Sequence, residues 1–111
     1  MAGKFEITTR KNGEFQFNLK ASNGQVILSS EGYKAKASAV NGIDSVRRHS
    51  QDDGNFERLT AKDGSPYFNL KASNGQTIGS SQMYSGNAAC ENGIASVKTH
   101  APDAEVSDLT A

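Results

Sequence analysis

Phe17 to Gln25 reads FNLKASNGQ, and the same nine letters return from Phe68 to Gln76. A stretch kept twice is either a binding loop used twice or a hairpin that a duplicated fold needs twice. Its own pattern favours the hairpin. In an extended chain Phe17 and Leu19 point to one side and Asn18 and Lys20 to the other, while Ser-Asn-Gly is turn chemistry.

Working outward, an offset of 51 residues holds without a gap from Phe5/Phe56 to Asp52/Asp103. About half of the aligned positions are identical, the signature of internal duplication. Repeat one spans about 5–54 and repeat two about 56–105. The last piece, EVSDLTA from Glu105 to Ala111, echoes FERLTA at Phe56 to Ala61 and reads as a closing strand over about 105–110. It is expected to do for the second unit what Phe56 to Ala61 does for the first.

Within each unit, segments such as FEITTR and EFQFNLK alternate apolar and polar residues, as half-buried strands do. KNG and SNG divide the strands of the first unit, KDG and SNG those of the second, so each unit opens with three antiparallel strands and two hairpins. Parity decides the turn type. A three-residue loop, Ser22 to Gly24 with Gly24 left-handed in a bulge, sets Leu19 opposite Ile27, which recurs as Ile78. A two-residue Asn-Gly turn would set Leu19 opposite Leu28, which becomes Gly79. The spacing therefore predicts the bulged turn with Leu19 facing Ile27. The same count at Lys11 to Gly13 predicts Ile7 opposite Phe17 and Phe5 opposite Leu19.

After the third strand the period lengthens. Ala35, Ala39, Ile43 and Val46 fall on one helical stripe, matched by Gly86, Cys90, Ile94 and Val97. Gly42 and Gly93 sit mid-helix beside that stripe, where glycine costs about 1 kcal/mol against alanine. Close approach to the sheet is the expected reason for them.

A strand, a hairpin carrying FNLKASNGQ, a Ser-Ser step, a tyrosine and a helix with NGI-x-SV, all present twice, resemble the YegP-like family of small, mostly bacterial proteins over nearly the whole chain. The resemblance implies tandem three-strand-plus-helix units in one sheet with exchanged closing strands, and dimers for single-unit relatives. It implies no reaction, because the family is functionally uncharacterised. The second unit departs from the first where Ile7 becomes Arg58, Phe15 becomes Pro66 and Leu28 becomes Gly79.

Composition narrows the function classes. Twelve basic and twelve acidic residues cancel, so no global field draws in phosphate backbones or anionic lipid. No apolar stretch is long enough to span a bilayer, and no membrane partner is expected. MAGKFEITTR lacks an apolar run of signal-peptide length, and the single Cys90 cannot form an internal disulfide, so the expected compartment is cytoplasmic.

Candidate chemistry is sparse. His49 and His100 stand at equivalent helix ends, where imidazole suits the carboxyl-terminal dipole and can bond carbonyls there. Their spacing to Asp52 and Asp103 fits no standard metal motif. Cys90 replaces Ala39 on the inner helical stripe and reads as a small buried residue rather than a nucleophile. Glu6 and Glu57 alternate outward, as solvated strand residues do. The glycine turns fit neither the phosphate-loop nor the dinucleotide pattern. What remains is the polar sheet face, where Asn18, Lys20, Tyr67, Asn69 and Lys71 form a candidate ligand surface, with Tyr67 available for stacking.

The resulting expectation is one α+β domain over residues 1–111: two tandem β-β-β-α units and a closing strand in one mainly antiparallel sheet, with two helices on one face. Functionally it is a non-catalytic binding or accessory module for an unknown ligand or protein, monomeric with internal pseudo-twofold symmetry, and with no cofactor and no metal. The alternatives are a small enzyme using a cleft between the repeats near the helix-end histidines, or a weak single-stranded nucleic acid binder. Charge balance weighs against the second.

Overall fold

Alternation in the first unit becomes β1 (Lys4–Thr9), β2 (Phe15–Lys20) and β3 (Val26–Ser30), followed by α1 (Lys36–His49). A 3-10 turn at Asp53–Asn55 then leads into β4 (Phe56–Thr60), β5 (Pro66–Lys71), β6 (Thr77–Ser80) and α2 (Asn87–His100), and β7 (Glu105–Asp108) closes the chain. The computed structural model describes residues 3–110, so Ala111, expected near the end of the closing segment, lies outside them. All seven strands form one sheet in the order β4-β5-β6-β3-β2-β1-β7, antiparallel throughout except where β7 runs parallel to β1.

Both hairpin turns are three-residue loops. At Ser22 to Gly24, the Ala21 N–H reaches the Gln25 carbonyl at 2.9 Å and Gly24 has a φ of 87°, the left-handed region that glycine enters without steric cost. At the first turn, Ile7 faces Phe17 and Phe5 faces Leu19, as the parity count predicts.

The expected pairing of Leu19 with Ile27 is corrected. Lys20 pairs with Val26, the register then slips by one, and Leu19 faces Leu28. Ile27 is the extra residue, and the slip lets two consecutive side chains, Ile27 and Leu28, both be buried where strict alternation would expose one. Unit two repeats the slip, with Leu70 facing Gly79.

The units meet between β3 and β6, where Ser29 pairs with Ser80 and Ser30 with Gly79. Ser29 and Ser80 are related by the 51-residue offset, so the pseudo-twofold axis passes between them. Leu28 accounts for the change to Gly79 at its equivalent position: a Cβ on Gly79 would lie 3.0 Å from Leu28 Cγ. One leucine thus fills the join where two would collide. The step to Pro66 loses a donor. Phe15 and Tyr33 exchange two backbone bonds, at 2.7 and 2.6 Å, whereas Pro66 and Tyr84 make only the bond from the Tyr84 N–H, at 2.8 Å.

Each helix straddles the join: α1 packs on β2 of its own unit and on β5 and β6 of the other, α2 on β5 and on β3. Phe5, Phe17, Leu19, Ile43 and Val46 therefore share one buried cluster with Phe56, Phe68, Leu70, Ile94 and Val97. At about 1.5–3 kcal/mol for each large side chain fully buried, the two halves stabilise one another through this shared cluster. On the helical stripe Ala39, Gly42, Ile43 and Val46 are buried. Ala35 is not part of it, because it is the extended, exposed N-cap of α1.

Candidate functional site

The open face of the sheet carries the side chains that the core does not use. Pairing fixes their layout: Ser107, Glu6, Asn18, Ser29, Ser80, Asn69 and Glu57 are successive cross-strand partners from β7 to β4. Every member is polar. The row runs through the pseudo-twofold axis, so Glu-Asn-Ser on one side mirrors Ser-Asn-Glu on the other. With strands about 4.8 Å apart, Asn18 and Asn69 stand roughly 14 Å from one another across the two serines.

Of the five expected ligand residues, Asn18 and Asn69 lie in this row and face the same side. The Asn69 Oδ1 accepts the Ser80 hydroxyl at 2.6 Å, and the Asn18 Oδ1 accepts the Gln16 amide at 3.4 Å. Lys20 and Lys71 flank the row but are not free cations, since Lys20 Nζ pairs with Glu6 at 2.8 Å and Lys71 Nζ with Glu57 at 3.2 Å. Each charge is compensated within its own unit. Tyr67 shares the face of Asn69 and stands opposite Leu59, which gives the second unit an apolar end where the first has Gln16 opposite Thr8.

Over the join lies a groove of about 660 Å³, bordered by Ser29, Glu31, Ser80, Gln82 and Arg10. The Arg10 Nε donates to Gln16 Oε1 at 2.6 Å, and alanine stands at the equivalent position, Ala61. The second serine of each Ser-Ser step has a different task. The Ser30 hydroxyl accepts the Phe17 N–H at 2.9 Å and donates to the Glu31 carbonyl, and the Ser81 hydroxyl does the same for Phe68 and Gln82. The recurring Ser-Ser pair thus splits into an outward residue for the row and an inward one that completes the β2 and β5 backbone.

Elsewhere each candidate is tied into the fold. The His49 Nδ1 lies 2.9 Å from the Ser45 carbonyl and the His100 Nδ1 2.8 Å from that of Ser96. His100 also reaches across to the first unit, its Nε2 accepting the Ser22 N–H at 3.4 Å. These are carbonyls one turn back in each helix. The last-turn carbonyls go to other donors, such as Asn55 to that of His49 at 3.0 Å. Cys90 is buried, and burial, reinforced by Glu91, pushes its thiol up and away from the nucleophilic thiolate. Among the described residues no group of three His, Cys, Asp or Glu is placed to hold a metal ion, and no helix is long and apolar enough to cross a membrane.

The basic residues at the helix ends do more than face a dipole. Arg47 lies over the Phe5 ring at 5.4 Å and donates to the Ala104 carbonyl ahead of β7. Its equivalent Lys98 lies over Phe56 at 5.8 Å and pairs with Asp53 at 2.7 Å. Asp53 and Ala104 are themselves equivalent by the offset. Arg58 joins this second cluster through Glu91 at 2.6 Å and Asp53 at 3.2 Å. Lys98 and Arg58 hold the Asp53 carboxyl below its usual range, and Arg58 does the same for Glu91.

The family model described as Domain of unknown function (DUF1508) matches residues 11–57 and again 61–108. The chain belongs to this family. Each DUF1508 segment runs from a hairpin turn through the helix into the strand beyond it, but contrary to expectation the two closing strands do not act alike, since β4 pairs antiparallel with β5 whereas β7 pairs parallel with β1. A UPF0339 protein of Acinetobacter baylyi is 54% identical over 110 residues, covering 99% of each chain, and one of Pseudomonas aeruginosa is 53% identical over 108 residues, covering 97% of this chain and 98% of its own. The solution structure of the protein of unknown function yegP from E. coli superposes with a TM-score of 0.95 at 50% identity, covering all of this chain and 96% of the other. The tandem architecture and the YegP-like resemblance read from the duplicated motifs both hold, and the yegP neighbour is itself described as a protein of unknown function.

Proposed function

We propose that this tandem DUF1508 protein is a non-catalytic binding module, working as a cytoplasmic monomer, that holds an uncharged, hydroxyl- or amide-bearing small molecule on the open face of its sheet. The observation that carries this reading is the polar row through the axis, Glu6-Asn18-Ser29 continued by Ser80-Asn69-Glu57. Amides and hydroxyls there offer donors and acceptors fixed on rigid strands. The lysines beside them are already neutralised by Glu6 and Glu57, which favours a neutral ligand over a phosphate backbone. Monomeric behaviour is supported by the fusion itself, because the second unit supplies across the join the core contacts that a separate chain would bring.

The test is a residue-resolved NMR screen of the labelled protein against polar metabolites and short oligonucleotides. Shifts grouped along the row by a neutral metabolite support the proposal. A response to oligonucleotides that collapses with added salt replaces it with the nucleic acid reading, and a response centred on His49 and His100 reopens catalysis. Sedimentation showing an obligate dimer at micromolar concentration would contradict the monomer.

A further inference from the structure

β1 and β4 occupy equivalent places, each paired with the hairpin strand beside it, Phe5 with Leu19 and Phe56 with Leu70. Their outer edges differ. β1 is covered by β7 in parallel, with Phe5 opposite Val106 and Ile7 opposite Asp108, and the Leu109 N–H bonds the Ile7 carbonyl at 2.9 Å. β4 ends the sheet. The 51-residue offset carries Ile7 onto Arg58, so the N–H and C=O of Arg58, together with the Phe56 carbonyl and the Thr60 N–H, point away from the sheet with no strand to meet them among the described residues. The Phe56 N–H at this edge is taken by the Asp53 carbonyl of the 3-10 turn.

The place beside that edge is open as well. A groove of about 350 Å³ runs along it, bordered by Arg58, Thr60, Asn87, Cys90 and Glu91. In the first unit the equivalent place is filled by the chain itself: Ile7 is 1% exposed, and Lys36, the counterpart of Asn87, grips Asp108 of the covering strand at 2.8 Å. The cation that meets a carboxylate there has moved in the second unit from the helix, where Asn87 replaces lysine, to the strand, where Arg58 replaces isoleucine. One half of the molecule thus displays what the other half lacks.

We propose that the β4 edge takes an extended peptide segment bearing a carboxylate, added in parallel as an eighth strand, with its backbone bonded to Arg58 and its acidic side chain against the Arg58 guanidinium. Recognition of this kind draws affinity from main-chain hydrogen bonds and selectivity from a side-chain site. In the free protein Glu91 holds the guanidinium through two bonds, at 2.6 and 2.9 Å, and Asp53 adds a contact at 3.2 Å, so the incoming carboxylate competes with Glu91 for it. The 3-10 turn blocks the start of the edge, so the segment pairs from Phe56 to Thr60 only.

The labelled full-length protein, titrated with the synthetic peptide EVSDLTA, tests this. Saturable amide shifts at Arg58, Thr60, Asn87 and Cys90 are expected. The same peptide N-methylated at leucine, or carrying lysine for aspartate, should bind at least about tenfold more weakly, the worth of one good hydrogen bond or charge contact. Glu91→Gln, which removes the rival carboxylate, should bind the parent peptide more tightly. Absence of shifts, shifts confined to Lys4 to Ile7 where β7 would be displaced, or equal affinity for the N-methylated peptide would overturn the proposal. So would β4 shifts that depend on protein concentration alone, which would put a second copy on the edge.

Discussion

Tyr33 and Gly42 are in contact such that a Cβ on Gly42 would stand 2.6 Å from the Tyr33 hydroxyl and 2.8 Å from Phe17 Cε2. The Tyr33 ring stacks on Phe17 with centroids 6.3 Å apart, and Tyr84 on Phe68 repeats the arrangement beneath Gly93. Helix propensity alone would reward alanine at position 42 by about 1 kcal/mol, whereas overpacking a filled site costs about 1–3 kcal/mol. Gly42→Ala is therefore expected to lower stability by about 1 kcal/mol or more, and Tyr33→Phe in that background to recover part of the loss. Urea denaturation of the two single variants and the double variant checks this; a stabilised Gly42→Ala would show that the helix does not rest on the tyrosine.

Ser30 is buried and its hydroxyl is the partner of the Phe17 N–H. Ser30→Ala leaves that donor unpaired away from water, a loss of about 1–3 kcal/mol. Ser81→Ala should cost less, because Ser81 is only partly buried and water can replace its hydroxyl. Amide hydrogen exchange gives a local readout: the Phe17 amide should lose protection in Ser30→Ala, and the Phe68 amide in Ser81→Ala.

Asp108 fastens β7 to α1 through Lys36, and the Lys36 ammonium, helped by Thr110, holds its carboxyl down to about 2. A carboxyl lowered in the folded state stabilises above its unfolded pKa of about 3.9, and that contribution is lost as pH falls through the folded value. Attachment of β7 should therefore weaken between about pH 4 and pH 2, and more gently at high salt because the pair is exposed. In Asp108→Asn this dependence should be absent from the Ser107 and Leu109 amide shifts. An unchanged titration in the variant would mean that another group fastens the strand.

His49 and His100 have equivalent bonds to their own helices, but only His100 reaches the other unit through Ser22. His49→Ala and His100→Ala are each expected to cost about 0.5–1 kcal/mol, the scale of contacts at a helix end. His100→Ala should in addition speed exchange of the Ser22 amide. Loss of a ligand response without loss of stability in either variant would contradict a purely structural role.

The fold was legible because duplication, alternation and turn glycines all pointed the same way. Parity held at the first turn, but at the second the three-residue loop is present while the pairing used to choose it, Leu19 with Ile27, is not, since the slip at Ile27 depends on how Ile27 and Leu28 pack, a tertiary fact that no local period contains. Asn18 and Asn69 could be picked out as outward residues of FNLKASNGQ. The serines between them could not be joined to them, because that adjacency comes from the β3–β6 pairing, which links residues 51 apart. The Ser-Ser step was the available signal. Lys20 and Lys71 could be read as outward residues too, but their pairing with Glu6 and Glu57 depends on strand neighbours that no local pattern supplies.

The most direct test of the binding surface compares the wild-type protein with Asn18→Ala/Asn69→Ala in the same NMR metabolite screen. Contiguous shifts at Asn18, Ser29, Ser80 and Asn69 are expected in the wild type, with the helix ends silent and the response lost in the double variant. A double variant that responds as the wild type does, or shifts gathered at His49 and His100, would contradict a ligand site on the row through the axis.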